Sequence, residues 1–317
     1  MLHVKVEGDA IWIGPRFSVA FQRTLRIPDD GKTYPLPPGL GRFQICRVSD
    51  FATHVPAAWR ERGGFFIPMY QREALWLAFD GASWKPNATQ IGIGNINAIS
   101  GEAWQAGLVL QPQNYIVCPD QLWLDGINAG DGFIRQFVAM PLGEGYTVEA
   151  QLTGKEDIGG IQIRVFEPKA GRFSDKPPRQ SRNPGLLKMA SPMPAGSMGL
   201  GAGGKMHQKI YPDAYGVDTW DTDNFGEVFV HIVNSEQYLA ITGREPPRCS
   251  IDAKTYTDHG FPWFALYDEK LGDVAASKRL TGVKSIQQQD ADKGVTSHYE
   301  AVDVKQSQVK KIKPLHK

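Results

Sequence analysis

Cysteine, net charge and long apolar segments are all scarce in this chain of 317 residues. Cys46, Cys118 and Cys249 form neither a CxxC pair nor a closely spaced set, so the sequence predicts reduced, buried thiols and no disulfide. The 35 basic and 34 acidic residues nearly cancel. Because the field around such a molecule is weak, nucleic acid and anionic membranes are disfavoured as partners, and self-association is favoured.

Membrane and export signals are also missing from the sequence. No window approaches the roughly 18 consecutive apolar residues of a membrane-spanning helix. The segment MLHVKVEGDAIWIG, residues 1–14, lacks the charged start and apolar run of a secretory signal. We therefore expect a cytoplasmic protein by default, and export by a route that needs no such signal stays open.

The common catalytic signatures do not occur either. There is no GxSxG elbow and no HExxH or HxH pair, and the seven histidines are scattered. An enzyme of unrecognised type would need a cleft built from residues such as Cys118, Asp120, Asp125, Arg135 and His231. The prediction therefore leans away from catalysis.

What the chain does have is a strand-like pattern up to about residue 168. Apolar and polar residues alternate, or form short β-prone runs, in the segments 17–22, 74–79, 113–118, 133–140, 146–153 and 161–165. Turn sequences such as PDDG, LDG and LGEG separate these segments. The pattern predicts a mainly β fold, an antiparallel β-sandwich of jelly-roll type or a barrel, with a few short helices near the C-terminus.

The composition divides the chain into four segments. They are a β-rich core at 1–168, a proline- and glycine-rich basic loop or arm at 169–205, a segment at 206–282 with further strands and short helices, and a basic tail at 283–317. The predicted later elements are strands at 227–234 and 238–243 and short helices at 54–62, 252–260, from Pro262, and from Asp273 to Gly282.

A glycine-rich stretch, GLGAGGKM at residues 199–206, has the glycine and lysine spacing of a phosphate-binding loop. Met206 stands where such a loop needs a hydroxyl, and Pro212 leaves little room for the helix that should follow. We therefore predict a flexible glycine loop and no nucleotide hydrolysis.

Two oxygen-rich stretches are candidates for calcium, the one cofactor that the sequence admits. One contains Asp125, Asn128 and Asp131. The other supplies the predicted metal residues Asp218, Asp221, Asp223 and Glu227. Neither matches the twelve-residue calcium loop, and polar turns are the favoured interpretation because Asp, Asn and Gly are the usual turn formers.

Tryptophans are spread over the β-rich and mixed regions at positions 76, 84, 104, 123, 220 and 263. Such residues fill a core, stack on sugars or anchor an interface. From this set we select Trp123, Trp220 and Trp263 as candidate interface or ligand-binding residues.

Several phrases resemble a family of uncharacterised proteins that occur in bacteria and fungi. The phrases cover most of the chain: RTLRIPDDGKTYPLPPGLGRF (23–43), PMYQREALWLAF (68–79), NAISGE (97–102), PDQLWLDGI (119–127), RQFVAMPLGEGYTVEAQLTG (135–154), GGIQI (159–163) and HGFPWFALYDE (259–269). The resemblance implies one integrated architecture rather than two separable modules. It brings no activity, cofactor or site residue.

Three functions follow as hypotheses. The leading one is a non-enzymatic structural or interaction protein that self-associates into a homo-oligomer or filament, with the segments 167–204 and 300–317 as arms that pair with the sheet edge of a neighbour. The alternative is a carbohydrate- or ligand-binding β-sandwich, with or without calcium. The third is an enzyme of unrecognised type.

Overall fold

The computed structural model describes residues 1–176, 197–248, 251–266, 272–296 and 301–312. The strands of these ranges are β1 (Val4–Glu7), β2 (Ala10–Ile13), β3 (Phe17–Thr24), β4 (Thr33–Tyr34), β5 (Gly39–Arg42), β6 (Cys46–Arg47), β7 (Phe65–Met69), β8 (Ala74–Asp80), β9 (Asn87–Ile93), β10 (Ile96–Asn97), β11 (Ile116–Cys118), β12 (Trp123–Leu124), β13 (Gly126–Gly130), β14 (Phe133–Pro141), β15 (Ile161–Pro168), β16 (Ser197–His207), β17 (Trp220–Asn234), β18 (Trp263–Leu266) and β19 (Val309–Ile312). The helices are α1 (Ala57–Arg62), α2 (Val148–Thr153), α3 (Ser235–Thr242), α4 (Ala253–Asp258), α5 (Lys278–Thr281) and α6 (Ile286–Asp292), with 3-10 turns at Val48–Phe51, Val217–Thr219 and Gln306–Gln308.

Hydrogen bonds join β1 to β17 into one large, mainly antiparallel sheet that is not closed into a barrel. We call the part built on β2, β3, β5, β8, β12, β14 and β16 the first layer, and the part built on β9, β15, β17 and β7 the second layer. The layers are continuous where Ser197 of β16 pairs with Val233 of β17. The predicted mainly antiparallel β fold is confirmed.

The two layers share one apolar core because alternate side chains of each strand point inward. Phe17, Val19 and Phe21 of β3 are fully buried, and so are Ile163 and Val165 of β15. Each such side chain stabilises the fold by about 1.5–3 kcal/mol. This period-2 pattern is the one that the sequence displayed.

The glycine-rich stretch is a strand and not a loop. In β16, Leu200 and Ala202 face the core, while the alternate glycines Gly199, Gly201 and Gly203 face outward. A Cβ on Gly201 would lie 3.2 Å from Cδ1 of Ile286, and the glycines therefore let α2 and α6 lie close on the strand. The prediction of a flexible loop was wrong, because these glycines serve close packing.

Helix α6 covers one end of the outer face of the first layer. Ile286 is buried there in a cluster with Ala74, Val138, Met140 and Tyr146. The Asp290 carboxylate of the same helix accepts two hydrogen bonds of 2.7 Å from the Arg72 guanidinium and one from the Tyr146 hydroxyl. The segment predicted as a basic tail thus contributes a docked helix as well as β19.

Two predicted strands are helices. Residues 148–153 form α2 because the Thr147 hydroxyl accepts a hydrogen bond from the Ala150 N–H and Gly154 closes the helix in the left-handed conformation. Residues 235–242 form α3 between the cap Asn234 and Gly243, which has φ 65°. In both segments the capping residues favour a helix more strongly than the alternation of apolar and polar residues favours a strand.

The C-terminal predictions were right in part. Asp252 caps α4 as expected, and α1 lies within the predicted 54–62 helix. Pro262 precedes a strand and not a helix, because β18 pairs with β19. Asp273 caps no helix and accepts hydrogen bonds from the N–H groups of Gly132 and Ile210, while Ser277 caps α5.

The predicted arm at 169–205 is described only at its two ends, since residues 177–196 lie outside the described ranges. Residues 197–205 belong to β16. The thiols of Cys46 and Cys118 are buried and unpaired with each other, whereas Cys249 lies outside the described ranges. Among the described helices, none has the length and apolar character to cross a bilayer.

Candidate ligand-binding face

The outer face of the first layer carries three tryptophans in half-buried positions, Trp12 on β2, Trp76 on β8 and Trp123 on β12. Strand register places them on one face. Trp12 is directly opposite Ser18 of β3, Trp76 is opposite Gln22 of β3, and Trp123 is opposite Ala78 of β8. Cross-strand partners point to the same side of a sheet, so the three indoles share the solvent side. We call this surface the tryptophan face.

Small residues form the floor between the indoles. Ser18, Ala20 and Ala78 occupy the outward positions of β3 and β8 between Trp12 and the other two tryptophans. The indole of Trp76 lies over Gly39 of β5. A Cβ atom added to Gly39 would be 3.4 Å from Cζ2 of Trp76. Ser18 and Ala20 are 6% and 4% exposed, whereas Ala78 and the three indoles are half-buried.

Polar groups of both charges surround the face. Arg42 is opposite Gln22 across β3 and β5, and Asp80 is opposite Ser18 across β3 and β8. Arg42 and Asp80 are exposed. The Lys5 ammonium lies 5.8 Å from the centroid of the Trp12 ring, and it forms an exposed ion pair with Glu7. Donors and acceptors of hydrogen bonds are thus available at the rim.

Apolar packing does not account for two of the three indoles. Within the described ranges, neither Trp12 nor Trp76 packs against one of the buried clusters, whereas Trp123 packs one side against the main core. Trp12 and Trp76 are therefore the two candidate ligand-contacting indoles of this face.

A buried carboxyl group forms a side-chain hydrogen bond with Trp123. Asp125 follows two residues later and is almost fully buried, and this burial raises the pKa of its carboxyl group to about 7. Hydrogen bonding by the side chains of Trp123 and Gln208 opposes the rise in the pKa. The Gln208 amide accepts from the Asp125 N–H (2.9 Å) and donates to the Trp123 carbonyl oxygen (3.2 Å), so it fixes this short segment.

Two of the three tryptophans selected from the sequence are core residues. Trp220 and Trp263 are 1% and 0% exposed. Their indole N–H groups donate to Asp213 Oδ2 (2.9 Å) and Thr257 Oγ1 (3.0 Å), respectively. Both predictions as surface residues were wrong, because buried strand ends enclose the rings and satisfy their single polar group.

The predicted calcium residues are not brought together. Asp218 and Asp223 are exposed, the Asp221 carboxylate accepts from the Asp223 N–H, and the Glu227 carboxylate pairs with Arg164. Across the described residues, no group of three or more His, Cys, Asp and Glu side chains has an arrangement that would hold a metal ion. In the other calcium candidate, the Asn128 amide donates to the carbonyl oxygens of Ile99 and Ala275 and so serves the fold.

Three of the residues considered for an enzyme, Cys118, Asp125 and His231, are buried and lie in different parts of the sheet. Cys118 is buried on β11, where desolvation raises the pKa of its thiol. His231 on β17 stacks on Trp59 with ring centroids 4.3 Å apart, and burial lowers its pKa to about 4. Asp125 lies in the other layer. Lys205, the lysine of the glycine-rich stretch, lies 3.9 Å from the ring centroid of Phe133 on the next strand.

Neither Trp12 nor a role for Trp76 in this candidate face was predicted from the sequence. The signal was weak because AIWI and ALWLAF are apolar on both faces, so alternation was hidden. Small residues at 74 and 78, beside the indole at 76, mark the outward side of β8. No protein-family model, curated protein or solved structure matches this chain.

Proposed function

We propose that this chain is a non-enzymatic carbohydrate-binding protein whose ligand stacks on the tryptophan face. The observation that carries the proposal is the placement of Trp12, Trp76 and Trp123, all half-buried, on the same side of one sheet. A sugar ring presents an apolar C–H face, and the negative face of an indole attracts such polarised hydrogens.

The rim supports a polyhydroxylated ligand rather than a strongly charged one. Gln22, Arg42 and Asp80 offer both donors and acceptors, which suits hydroxyl groups. At the rim Lys5 and Arg42 are matched by Glu7 and Asp80, so these residues provide no excess charge that would favour a phosphate-bearing ligand. We expect binding to persist in a chelator, since no metal-binding group was found among the described residues.

A glycan array followed by isothermal titration calorimetry tests this function. The Trp76→Ala variant should lose most of the binding heat, because it removes a central stacking surface. The matched control is Trp104→Ala, which removes another half-buried tryptophan, one whose ring stacks with Arg164 of the second layer. The proposal fails if no glycan binds, or if both variants lose binding equally.

Self-association remains a prediction and is the main competing use of the same surface. A specific feature disfavours edge pairing at β19, where Lys310 and Lys311 are exposed on a short strand. Light scattering after size-exclusion chromatography distinguishes the two functions. If Trp76→Ala converts an oligomer into a monomer and glycans do not bind, the tryptophan face is an interface between copies.

A further inference from the structure

We infer that the outer edge of β1 binds a second copy of this chain, so that the two sheets join as an antiparallel pair with Val6 at the two-fold axis. In this pair, Lys5 of each copy lies opposite Glu7 of the other. The inference goes beyond the proposed function and does not rest on it, because the second copy uses an edge of the sheet and not the tryptophan face.

Strand β1 has a strand partner on one side. Its residues Val4–Glu7 pair with Ala10–Ile13 of β2. In the described part of the chain, no other strand pairs with β1, and no backbone hydrogen bond joins Val4–Glu7 to another segment. Lys5 and Glu7 have side chains that are 43% and 60% exposed. An open edge of this kind is a template on which another chain can add a strand.

The geometry of the β1–β2 hairpin determines which backbone groups lie at that edge. Its turn consists of the two residues 8–9. The residues that flank a two-residue turn form a hydrogen-bonded pair, and such pairs alternate along the ladder with non-hydrogen-bonded ones. The backbone groups of Lys5 and Glu7 therefore point at β2, and those of Val4 and Val6 point at the outer edge. Val6 can thus exchange two backbone hydrogen bonds with Val6 of a second copy.

The charges of β1 select the register of the pair. With Val6 opposite Val6, two pairs of opposite charge form between Lys5 and Glu7, and each pair is favourable. In the neighbouring register that keeps the same faces together, Lys5 lies opposite Lys5 and the ammonium groups repel. Within one copy Lys5 and Glu7 form an exposed ion pair of 2.9 Å, and exchanging such a pair for one across the interface costs little.

A comparison with the edge of β19 shows why β1 is the better candidate. A lysine on an edge strand usually blocks pairing with another chain. Lys310 and Lys311 are neighbours on β19, which carries no acidic residue. On β1, Glu7 supplies the opposite charge two residues from Lys5. The net charge of +1 adds no strong repulsion between whole copies.

The two sides of β1 also match across the axis. Val4 and Val6 are half-buried and pack against the main core, on the side opposite to Lys5. In the pair the valines of both copies meet on the apolar side, and the charged pairs form on the other side. Lys5 is directly opposite Trp12 of β2 and shares its side of the sheet. Both copies therefore present their tryptophan faces in the same direction.

Sedimentation equilibrium of the full chain tests the pairing. Because a short edge buries little area, we expect a reversible dimer that forms only toward the upper end of a range from about 5 to 300 µM. Lys5→Glu should raise the Kd about tenfold, since two pairs of opposite charge become pairs of like charge. Adding Glu7→Lys to that variant should return the Kd to near its natural value.

Two control variants should leave the Kd unchanged. Lys310→Glu makes the same change of charge at an exposed position of another edge strand. Trp76→Ala alters the tryptophan face and not the edge of β1. A dimer that either control weakens as much as Lys5→Glu does would overturn the inference.

Disulfide trapping tests the register. Residues in a non-hydrogen-bonded pair have Cα atoms about 4.5 Å apart, which is within the range of a disulfide. A mixture of Lys5→Cys chains and Glu7→Cys chains should therefore give more cross-linked dimer under mild oxidation than either variant alone. The natural chain is the blank for its own three cysteines. A higher yield from Lys5→Cys alone would mean that Lys5 lies opposite Lys5, and the register would be wrong.

The remaining outcomes also decide the matter. A monomer at every concentration overturns the inference, and so does a dimer whose Kd does not respond to Lys5→Glu or is not restored by the double exchange. Thermal unfolding shows whether each variant is folded, and the trapping experiment keeps the test decisive if Lys5→Glu is unstable. None of these results bears on glycan binding, which calorimetry measures separately.

Discussion

The two ends of the outer face of the first layer differ although the same strand runs through both. At one end Ala74 of β8 is buried beneath Ile286 of α6. Two residues further along β8, Trp76 is half-buried and contacts none of the buried clusters in the described chain. Within the described residues, this sheet face is core where α6 covers it and is a candidate binding surface where large, half-buried side chains stand.

The largest effect on stability should come from removing the ion pair that attaches α6 to the outer face of the first layer. Asp290→Ala leaves the Arg72 guanidinium and the Tyr146 hydroxyl without their shared carboxylate. Asp290 is fully buried but Arg72 is 28% exposed, so removal of the carboxylate should cost about 3–4 kcal/mol, the lower part of the range for a fully buried pair. Urea unfolding measures the free energy of unfolding.

The matched control is Asp292→Ala on the same helix. Asp292 pairs with Lys284, and both side chains are more than half exposed. The expected cost is below about 1 kcal/mol. If the two variants lose similar stability, the Asp290 contacts do not hold α6 in place.

Removing the apolar contact of the same helix should cost somewhat less. Ile286 is 0% exposed in the cluster of the covered end, so Ile286→Ala should lower the free energy of unfolding by about 2–4 kcal/mol. Ile312→Ala is the control, since Ile312 is 37% exposed and should change stability by about 0.5 kcal/mol or less. Equal losses would mean that α6 contributes no more packing than the exposed end of β19.

The pH dependence of stability compares the two layers. Asp125 has a pKa raised to about 7 in the folded chain, so it binds a proton that the unfolded chain has already lost, and its contribution to stability falls as pH rises from about 4 to 7. The Asp125→Asn substitution removes this loss of stability with rising pH. Relative to the natural chain, the variant should gain about 2 kcal/mol between pH 5 and pH 7, as measured by urea unfolding at several pH values.

His231 of the second layer should give the opposite result. Burial lowers its pKa to about 4, so the unfolded chain binds the proton first, and its contribution to stability falls as pH drops below about 6.5. His231→Phe keeps the stacking on Trp59 and removes the titration. The difference in free energy of unfolding between this variant and the natural chain should be about 2 kcal/mol larger at pH 5 than at pH 7, in favour of the variant. Parallel pH profiles for the two variants would refute the assignment.

The smallest effect on stability is expected at the end of the outer face that carries Trp76. Trp76→Ala should change the free energy of unfolding by about 1 kcal/mol or less, because the indole is half-buried and lies outside the buried clusters of the described residues. A loss of several kcal/mol would show that Trp76 is a structural residue and would remove the main support for the tryptophan face.

Part of the site was visible in the sequence and part was not. Trp123 was selected from its sequence context and lies on the face, but Trp220 and Trp263 looked the same and are buried. Composition cannot separate these cases. What separates them is whether another element covers the position, and that depends on contacts between residues far apart in the chain.

The sequence by itself determined the strands and hence the class of fold, because alternation of apolar and polar residues forces a pleated segment to bury one face. It also determined the cap Asp252 that begins α4. Only the tertiary structure decided that the glycines of β16 receive a helix and that Trp12, Trp76 and Trp123 share one surface. The physical reason is that strand pairing and helix docking set distances between residues that no local pattern relates.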